Sequence, residues 1–117
     1  MPTTAGSKQT VLSFIKALNE EDFETAREYI SDDMKFVGVM GTRDGADIYM
    51  NDMEKMKFKY DIKKAFADGN DVCLWYDIIM NDHQIFSSGW YHVEHHRIKW
   101  FKVLFDPRPL LVGSEAK

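Results

Sequence analysis

The residues whose type and position best suit catalysis are Asp106 and His92. Asp106 stands directly before Pro107, at the end of a predicted aromatic strand. A carboxylate that lies against aromatic side chains loses hydration, so its pKa rises and it becomes a competent general base near neutral pH. His92 shares a strand face with Trp90, where an imidazole donates a hydrogen bond or relays a proton. Two structural alternatives stay open: Asp106 caps the strand end or pairs with Arg108, and His92 is a surface or interface histidine.

A metal site is not predicted, although the segment around residues 92–96 is rich in potential ligands. A site needs three or four convergent side chains. Strand alternation places His92 and His95 on opposite faces, and a turn at residues 95–96 disperses the remaining candidates. The glycine-rich stretch at residues 41–45 lacks both the length and the lysine of a phosphate-binding loop. We therefore expect neither a metal nor a cofactor.

Length and composition limit the class of protein. A chain of 117 residues corresponds to one domain, and 44% hydrophobic residues suffice for one core. The net charge of −4 does not favour binding to nucleic acid or to an anionic membrane surface. No signal peptide and no apolar run of the ~18 residues that a membrane span requires are visible. With Cys73 as its only cysteine, the chain is predicted to be a reduced, cytoplasmic protein.

Hydrophobic spacing predicts helices first and strands afterwards, which is an α+β arrangement. Val11, Phe14, Ile15 and Leu18 share one helix face, with Ser7 as the N-cap and Asn19 as the stop. Further helices are predicted at residues 22–30 and 44–56, the latter from the spacing of Ile48, Tyr49, Met53 and Met56. Strands are predicted at residues 34–40, 58–63, 72–80, 85–95 and 97–106, with a turn at residues 41–45.

The last strands are apolar on both faces. Leu74 and Tyr76 alternate with Cys73 and Trp75, and on the final strand the apolar residues Phe101, Val103 and Phe105 oppose Ile98, Trp100 and Leu104. An antiparallel sheet with one solvated face shows a cleaner alternation. Since three helices cover one face only, the second face needs another cover, and a symmetric homodimer formed through the sheet is the simplest.

The order of these elements resembles the nuclear transport factor 2-like superfamily, which includes the SnoaL-like polyketide cyclases and the ketosteroid isomerases. The likeness rests on FIKALNEED at residues 14–22, YISDDMKF at 29–36, GTRDG at 41–45, RIKWF at 97–101 and LFDP at 104–107. It spans residues 8–111, within a single SnoaL-like domain at residues 1–117. The resemblance implies a cone-shaped, curved antiparallel sheet packed on three N-terminal helices, a pocket open at one end and frequent homodimers. The fold implied by this resemblance is also called the cystatin-like fold.

The family's catalytic residues carry over unevenly. A ketosteroid isomerase uses an aspartate base and an oxyanion hole made by a tyrosine and a neutral aspartic acid. The corresponding positions here are Phe14 for the tyrosine, the segment Phe36-Val37-Gly38 for the base and the vicinity of Gly89 for the acid. Neither phenylalanine nor glycine can perform these roles, so ketosteroid isomerase activity is not expected. Asp106 resembles the late-strand aspartate of the SnoaL-like cyclases, a general acid and base.

Three functions remain open from the sequence. The first is a cofactor-free acid–base enzyme acting on a hydrophobic, carbonyl-containing substrate, with Asp106 as base and His92, Tyr76 or Tyr91 polarising an oxygen. The second is a protein that binds a small apolar ligand without catalysis, and the third is a dimeric interaction module. The predicted pocket residues are Phe14, Tyr49, Met53, Tyr76, Trp90, Tyr91, Phe101 and Phe105.

Overall fold

Three helices and six strands make up the part of the chain that the computed structural model describes, residues 4–109. The ends of the predicted domain, residues 1–3 and 110–117, which include Leu111, lie outside the described residues. In chain order the elements are α1 (Thr4–Asn19), α2 (Phe23–Glu28), β1 (Ile30–Gly38), β2 (Gly41–Asp44), α3 (Ala46–Met56), β3 (Lys59–Asp68), β4 (Asp71–Met80), β5 (His83–Glu94) and β6 (Arg97–Phe105).

The six strands form one curved sheet in the order β2-β1-β6-β5-β4-β3. The predicted α+β fold with a curved sheet and N-terminal helices is confirmed. All neighbouring strands are antiparallel except β1 and β6, which run parallel. The connection between β1 and β6 contains α3 and four strands, which is long enough to return the chain in the same direction. Register shifts interrupt the β3–β4 pairing at Lys63 of β3 and the β5–β6 pairing at Lys99 of β6. Such irregularities increase local twist and bend a sheet.

Helix α1 lies against the concave face of the sheet through the predicted apolar stripe. Its residues Val11, Phe14, Ile15 and Leu18 are all buried. The helix ends at Asn19, as predicted, in a Schellman-type cap: Glu21 has a φ of 58°, the Asp22 N–H donates to the Ala17 carbonyl and the Glu21 N–H to the Leu18 carbonyl. The Asn19 amide donates to the Tyr60 carbonyl at 2.9 Å and accepts from the Tyr60 N–H at 2.7 Å. None of the described helices is long and apolar enough to cross a membrane.

Local predictions failed where tertiary contacts override propensity. Ser7 is not the N-cap of α1: the helix begins at Thr4, and the buried Ser7 hydroxyl donates to Asn70 Oδ1 at 3.5 Å. Ile30 belongs to β1 and not to the second helix, which ends at Glu28. The predicted turn at residues 41–45 instead contains β2, whose four residues pair with the end of β1. A short edge strand has too little periodicity to be distinguished from a turn.

Two apolar residues lie on the opposite face from the predicted one. Ile98 is fully buried on the concave side because Lys99 is an extra residue in β6: Trp100 pairs with His92, and Ile98 pairs with the next residue of β5, Val93. Ile48 is exposed, so the buried face of α3 consists of Ala46, Tyr49, Met50 and Met53. In both cases the sequence spacing is compatible with either face, and only the packed partner decides.

The convex face of the sheet carries exposed aromatic and aliphatic side chains. We call this surface the outer patch: Phe66, Trp75, Phe86, Trp90 and Leu104, of which Trp75 is 44% and Leu104 is 69% exposed. The rings pack against neighbours on the same face, Trp75 on Phe86 at 5.4 Å and Trp90 on Trp100 at 5.0 Å between centroids. The apolar second face predicted from the sequence is therefore present and uncovered by any described element.

Candidate ligand pocket

A cavity of about 290 Å³ opens between α3, the β1–β2 connection and the concave face of the sheet. Most of its wall is aromatic or sulfur-containing. The lining residues are Phe36, Gly38, Val39, Met40, Gly41, Arg43, Tyr49, Asp52, Met53, Met56, Phe58, Tyr60, Ile78, Met80, Phe101, Val103 and Phe105. Met40 and Met56 are exposed, which places the mouth of the cavity beside them. Flexible methionines at a mouth let a pocket adapt to the shape of a ligand.

One face of α3 forms a wall of the cavity. Tyr49, Asp52, Met53 and Met56 follow each other at the three- and four-residue spacing that aligns side chains on a helix. The helix is positioned at its start by Gly45, whose φ of 106° favours glycine and whose N–H donates to the Met34 carbonyl at 2.7 Å. This link to β1 sets which face of α3 turns toward the sheet.

The charged part of the wall is an ion pair between Arg43 on β2 and Asp52 on α3. Arg43 Nε donates to Asp52 Oδ2, and Arg43 Nη1 donates to the carbonyl oxygen of Thr42 at 2.8 Å. The side chains are 41% and 25% exposed, so the pair stands at the edge of the cavity rather than at its floor. Opposite charges in contact leave this edge without net charge.

Tyrosine hydroxyls supply the neutral polar groups of this region. Burial raises the pKa of Tyr49 and of Tyr60, whose hydroxyl interacts with that of Tyr49, so both line the cavity as neutral phenols. Behind them, the hydroxyls of Tyr76 and Tyr91 are 2.6 Å apart, and burial raises the pKa of these two groups as well. These four tyrosines are therefore hydrogen-bonding groups at neutral pH, not phenolate bases.

Aromatic packing makes the floor of the cavity rigid. Phe101 contacts the rings of Phe36 at 5.0 Å, Tyr49 at 5.3 Å and Phe14 at 6.2 Å, and it stacks on Tyr91 at 4.6 Å. Each ring is held by several others, so none can turn away without disturbing the cluster.

Four of the predicted pocket residues line the cavity: Tyr49, Met53, Phe101 and Phe105. Phe14, Tyr76 and Tyr91 do not, since all three are fully buried in the core behind the lining residues. Trp90 lies on the convex face in the outer patch, because it alternates with the inward Gly89 and Tyr91. These four assignments to the cavity wall are corrected accordingly.

Asp106 lies outside the lining of the cavity, although Phe105 before it belongs to that lining. Its carboxylate is exposed and held by Arg108, with Arg108 Nε at 2.9 Å from Oδ1 and Nη2 at 2.7 Å from Oδ2. The hydrogen bonds from the Arg108 side chain hold the pKa of Asp106 below its usual value. This is the opposite of the predicted rise, and it corresponds to the structural alternative in which Asp106 pairs with Arg108.

His92 also lies away from the cavity, on the convex face of the sheet. Its ring stacks on Trp100 at 5.2 Å, with Nδ1 3.0 Å from Asp71 Oδ1 and Nε2 3.0 Å from Glu94 Oε2. Partial burial works to lower the pKa of His92, but the hydrogen bonds to Asp71 and Glu94 outweigh it and raise the pKa. Among residues 4–109, no group of three His, Cys, Asp or Glu side chains is arranged to hold a metal ion.

Aromatic rings closely approach Gly38 and Gly89, the two glycines considered in the comparison with ketosteroid isomerases above. A Cβ on Gly89 would lie 2.5 Å from Tyr76 Oη, and a Cβ on Gly38 would lie 2.7 Å from the Phe36 ring. Tyrosine and phenylalanine rings fill the volume that a carboxylate would need.

Sequence reasoning missed Arg43 and Asp52. Asp52 interrupts the apolar face of α3, between Tyr49 and Met53, and an acid at such a position signals a polar partner. That signal identifies Asp52 but not its partner, because Arg43 is brought to it by the edge strand β2, which was predicted as a turn.

Comparison with known proteins agrees with the fold. The SnoaL-like domain family matches residues 11–101, and the chain belongs to this family, within the nuclear transport factor 2-like superfamily. No protein with a curated description matches.

Solved structures extend this result. An NTF2-like protein of unknown function from Cytophaga hutchinsonii is 52% identical, with a TM-score of 0.88 over 90% of this chain and 94% of that one. An LEH-like epoxide hydrolase from M. tuberculosis is 23% identical, with a TM-score of 0.80 over 97% and 98% of the two chains. A protein assigned as a SnoaL-like polyketide cyclase from Shewanella denitrificans is 17% identical, with a TM-score of 0.80 over 95% and 98%. The last two show a shared fold alone.

Proposed function

We propose that this protein binds a small, mostly apolar molecule in the cavity beside α3. The observation that carries the proposal is the cavity itself: about 290 Å³, walled by aromatic and methionine side chains, with polar groups concentrated at Arg43, Asp52 and two tyrosines. Small-molecule sites combine an apolar wall with a few placed polar groups in this way, and this cavity stands at the small end of their range. A ligand of modest size therefore fits.

Catalysis that uses Asp106 as the base is less favoured than ligand binding, because neither Asp106 nor His92 lines the cavity. A catalytic role has a different candidate. Asp52 is the carboxylate of the described cavity wall, and Arg43 holds it in place, so it is the group there able to accept a proton from a bound molecule. The epoxide hydrolase and the cyclase among the structural neighbours indicate that this fold supports chemistry on small molecules, but a fold does not define a reaction.

The binding proposal is tested with N-phenyl-1-naphthylamine, an uncharged probe whose fluorescence rises in apolar surroundings. Val103 lines the cavity, whereas Leu104, next to it on β6, points to the convex face. We expect Val103→Phe, which fills the cavity, to weaken probe binding by roughly tenfold or more, and Leu104→Phe to leave it unchanged. Met53→Trp provides a second filled cavity in case Val103→Phe does not fold. Equal binding by filled and unfilled proteins would contradict the proposal.

Asp52→Asn separates binding from catalysis once a ligand is known. If the protein is a catalyst that uses Asp52, the variant still binds the molecule but no longer converts it. If it is a binding protein, wild type and variant both return the molecule unchanged, as chromatography of the mixture would show.

We also propose that two copies associate through the outer patch. Its support is the run of exposed rings on the convex face, an apolar surface that is uncommon on a monomer. Because a two-fold interface pairs one patch with itself, Trp75→Glu would place two like charges in it. We expect light scattering to give twice the chain mass of 13.7 kDa for wild type, and the single-chain mass for Trp75→Glu. Ile48→Glu, an exposed position on α3, is the matched control and keeps the wild-type mass.

A further inference from the structure

The charge distribution around the cavity restricts the kind of molecule it accepts. Arg43 and Asp52 are the charged side chains of the described wall, and they are paired with each other. Tyr49 and Tyr60 are neutral phenols there, since burial raises their pKa. An anionic ligand would be repelled by the Asp52 carboxylate, and a cationic ligand by the Arg43 guanidinium. Either ion would also lose hydration against the apolar walls, where no unpaired charge of opposite sign compensates the loss.

The hydrogen-bonding capacity of the ion pair is only partly used. Asp52 Oδ2 accepts from Arg43 Nε, and Arg43 Nη1 donates to Thr42. Within the described structure, Asp52 Oδ1 and Arg43 Nη2 have no hydrogen-bond partner in the protein. The two residues that meet at the edge of the cavity therefore retain an unused acceptor, Asp52 Oδ1, and an unused donor, Arg43 Nη2.

We infer that the pocket selects an uncharged molecule whose polar end both donates and accepts a hydrogen bond, as a primary amide or an alcohol does, on a short apolar body. This inference rests on the proposed function. The polar end lies against Arg43 and Asp52, donating to the free carboxylate oxygen and accepting from the free guanidinium N–H. The apolar body lies against Phe101 and the methionine side chains. A carboxylate of the same shape can accept from Arg43 but has nothing to donate to Asp52.

Four compounds that differ only in their polar end test the inference: 4-phenylbutanamide, 4-phenylbutanol, 4-phenylbutanoate and 4-phenylbutylammonium. Titration calorimetry at pH 7 is expected to show the amide and the alcohol binding at least about tenfold more tightly than either ion. Asp52→Asn leaves Arg43 without its partner, so the carboxylate should become the preferred ligand. Arg43→Gln should shift the preference toward the ammonium compound. Asp44→Asn, an exposed charge on β2 outside the cavity wall, is the matched control and keeps the wild-type order.

The outcomes separate the inference from the proposed function. If neither the naphthylamine probe nor any of the four compounds binds wild type, the proposed function fails. If the probe binds but the carboxylate binds as tightly as the amide, or if none of the four binds, the binding function stands and the inference is overturned. An unchanged ligand order in both Asp52→Asn and Arg43→Gln also overturns it. Circular dichroism checks that each variant is folded. Because the two variants test opposite signs of charge, either one still tests the inference if the other does not fold.

Discussion

The two faces of the sheet are both rich in aromatic residues, but only the concave face encloses a core and a cavity. On β4, Tyr76 faces inward and Trp75 outward, and on β5 the same holds for Tyr91 and Trp90. The inward rings are fully buried and lie behind the cavity wall, whereas the outward rings are half exposed. Aromatic content alone therefore does not identify a binding site; the curvature of the sheet and the position of α3 do.

The largest effect is expected where an inward ring is removed. Phe101 is 2% exposed and packs on four other rings, so Phe101→Ala should lower the free energy of unfolding by about 3 to 5 kcal/mol. Leu104→Ala, on the outward side of the same strand, should change it by less than about 0.5 kcal/mol when both are compared in the Trp75→Glu background, where the outer patch is exposed to solvent. Urea unfolding followed by circular dichroism measures both. Similar losses in the two variants would show that the outward face is as tightly packed as the inward one.

A smaller effect is expected from adding one methyl group on the inward side. In Gly89→Ala the new Cβ would stand 2.5 Å from Tyr76 Oη, which should cost about 1 to 3 kcal/mol of unfolding free energy. Tyr76→Phe removes the hydroxyl, so the double variant should recover part of that loss, as a double-mutant cycle detects. Ser88→Ala, on the outward side beside Gly89, is the control and should be nearly neutral. Additive effects of Gly89→Ala and Tyr76→Phe would refute the close contact.

A still smaller, pH-dependent effect is expected on the outward face at His92. Its hydrogen bonds to Asp71 and Glu94 raise the pKa of the folded state above that of the unfolded chain. The stabilisation is therefore complete below the unfolded pKa and is lost as pH rises through the higher folded pKa. Comparing wild type with His92→Gln in urea between pH 5 and 9 should show a difference of under about 1 kcal/mol that vanishes at high pH. A difference that grows with pH would contradict the assigned hydrogen bonds.

The smallest effect is expected at Asp106. Because its carboxylate is exposed, bound to Arg108 and absent from the cavity wall, Asp106→Asn should leave binding of the naphthylamine probe unchanged. Asp52→Asn should alter the order of ligand preference described above. If Asp106→Asn changed probe fluorescence and calorimetric ligand order as much as Asp52→Asn does, Asp106 would have to contact the bound ligand.

Much of the fold followed from local patterns. The stripe of α1 with Phe14 and Leu18, the end of that helix at Asn19, and the alternation along β4 were all predicted, and the SnoaL-like family was identified from segments spread over the chain. Helix and strand periodicities are properties of neighbouring residues, so they are legible in one dimension. Two residues of the predicted pocket, Tyr49 and Met53, follow the same helix periodicity: both lie on the buried face of α3 and line the cavity.

The chain by itself determined which residues are apolar, how they alternate and in which order helices and strands follow each other. Only the tertiary structure decided that Tyr76 and Tyr91 lie behind the cavity, that Asp106 turns to Arg108, and that Arg43 meets Asp52 across two elements. The position of a cavity depends on sheet curvature, strand register and the seating of α3. These arise from contacts between residues distant in the sequence, and no local spacing encodes them.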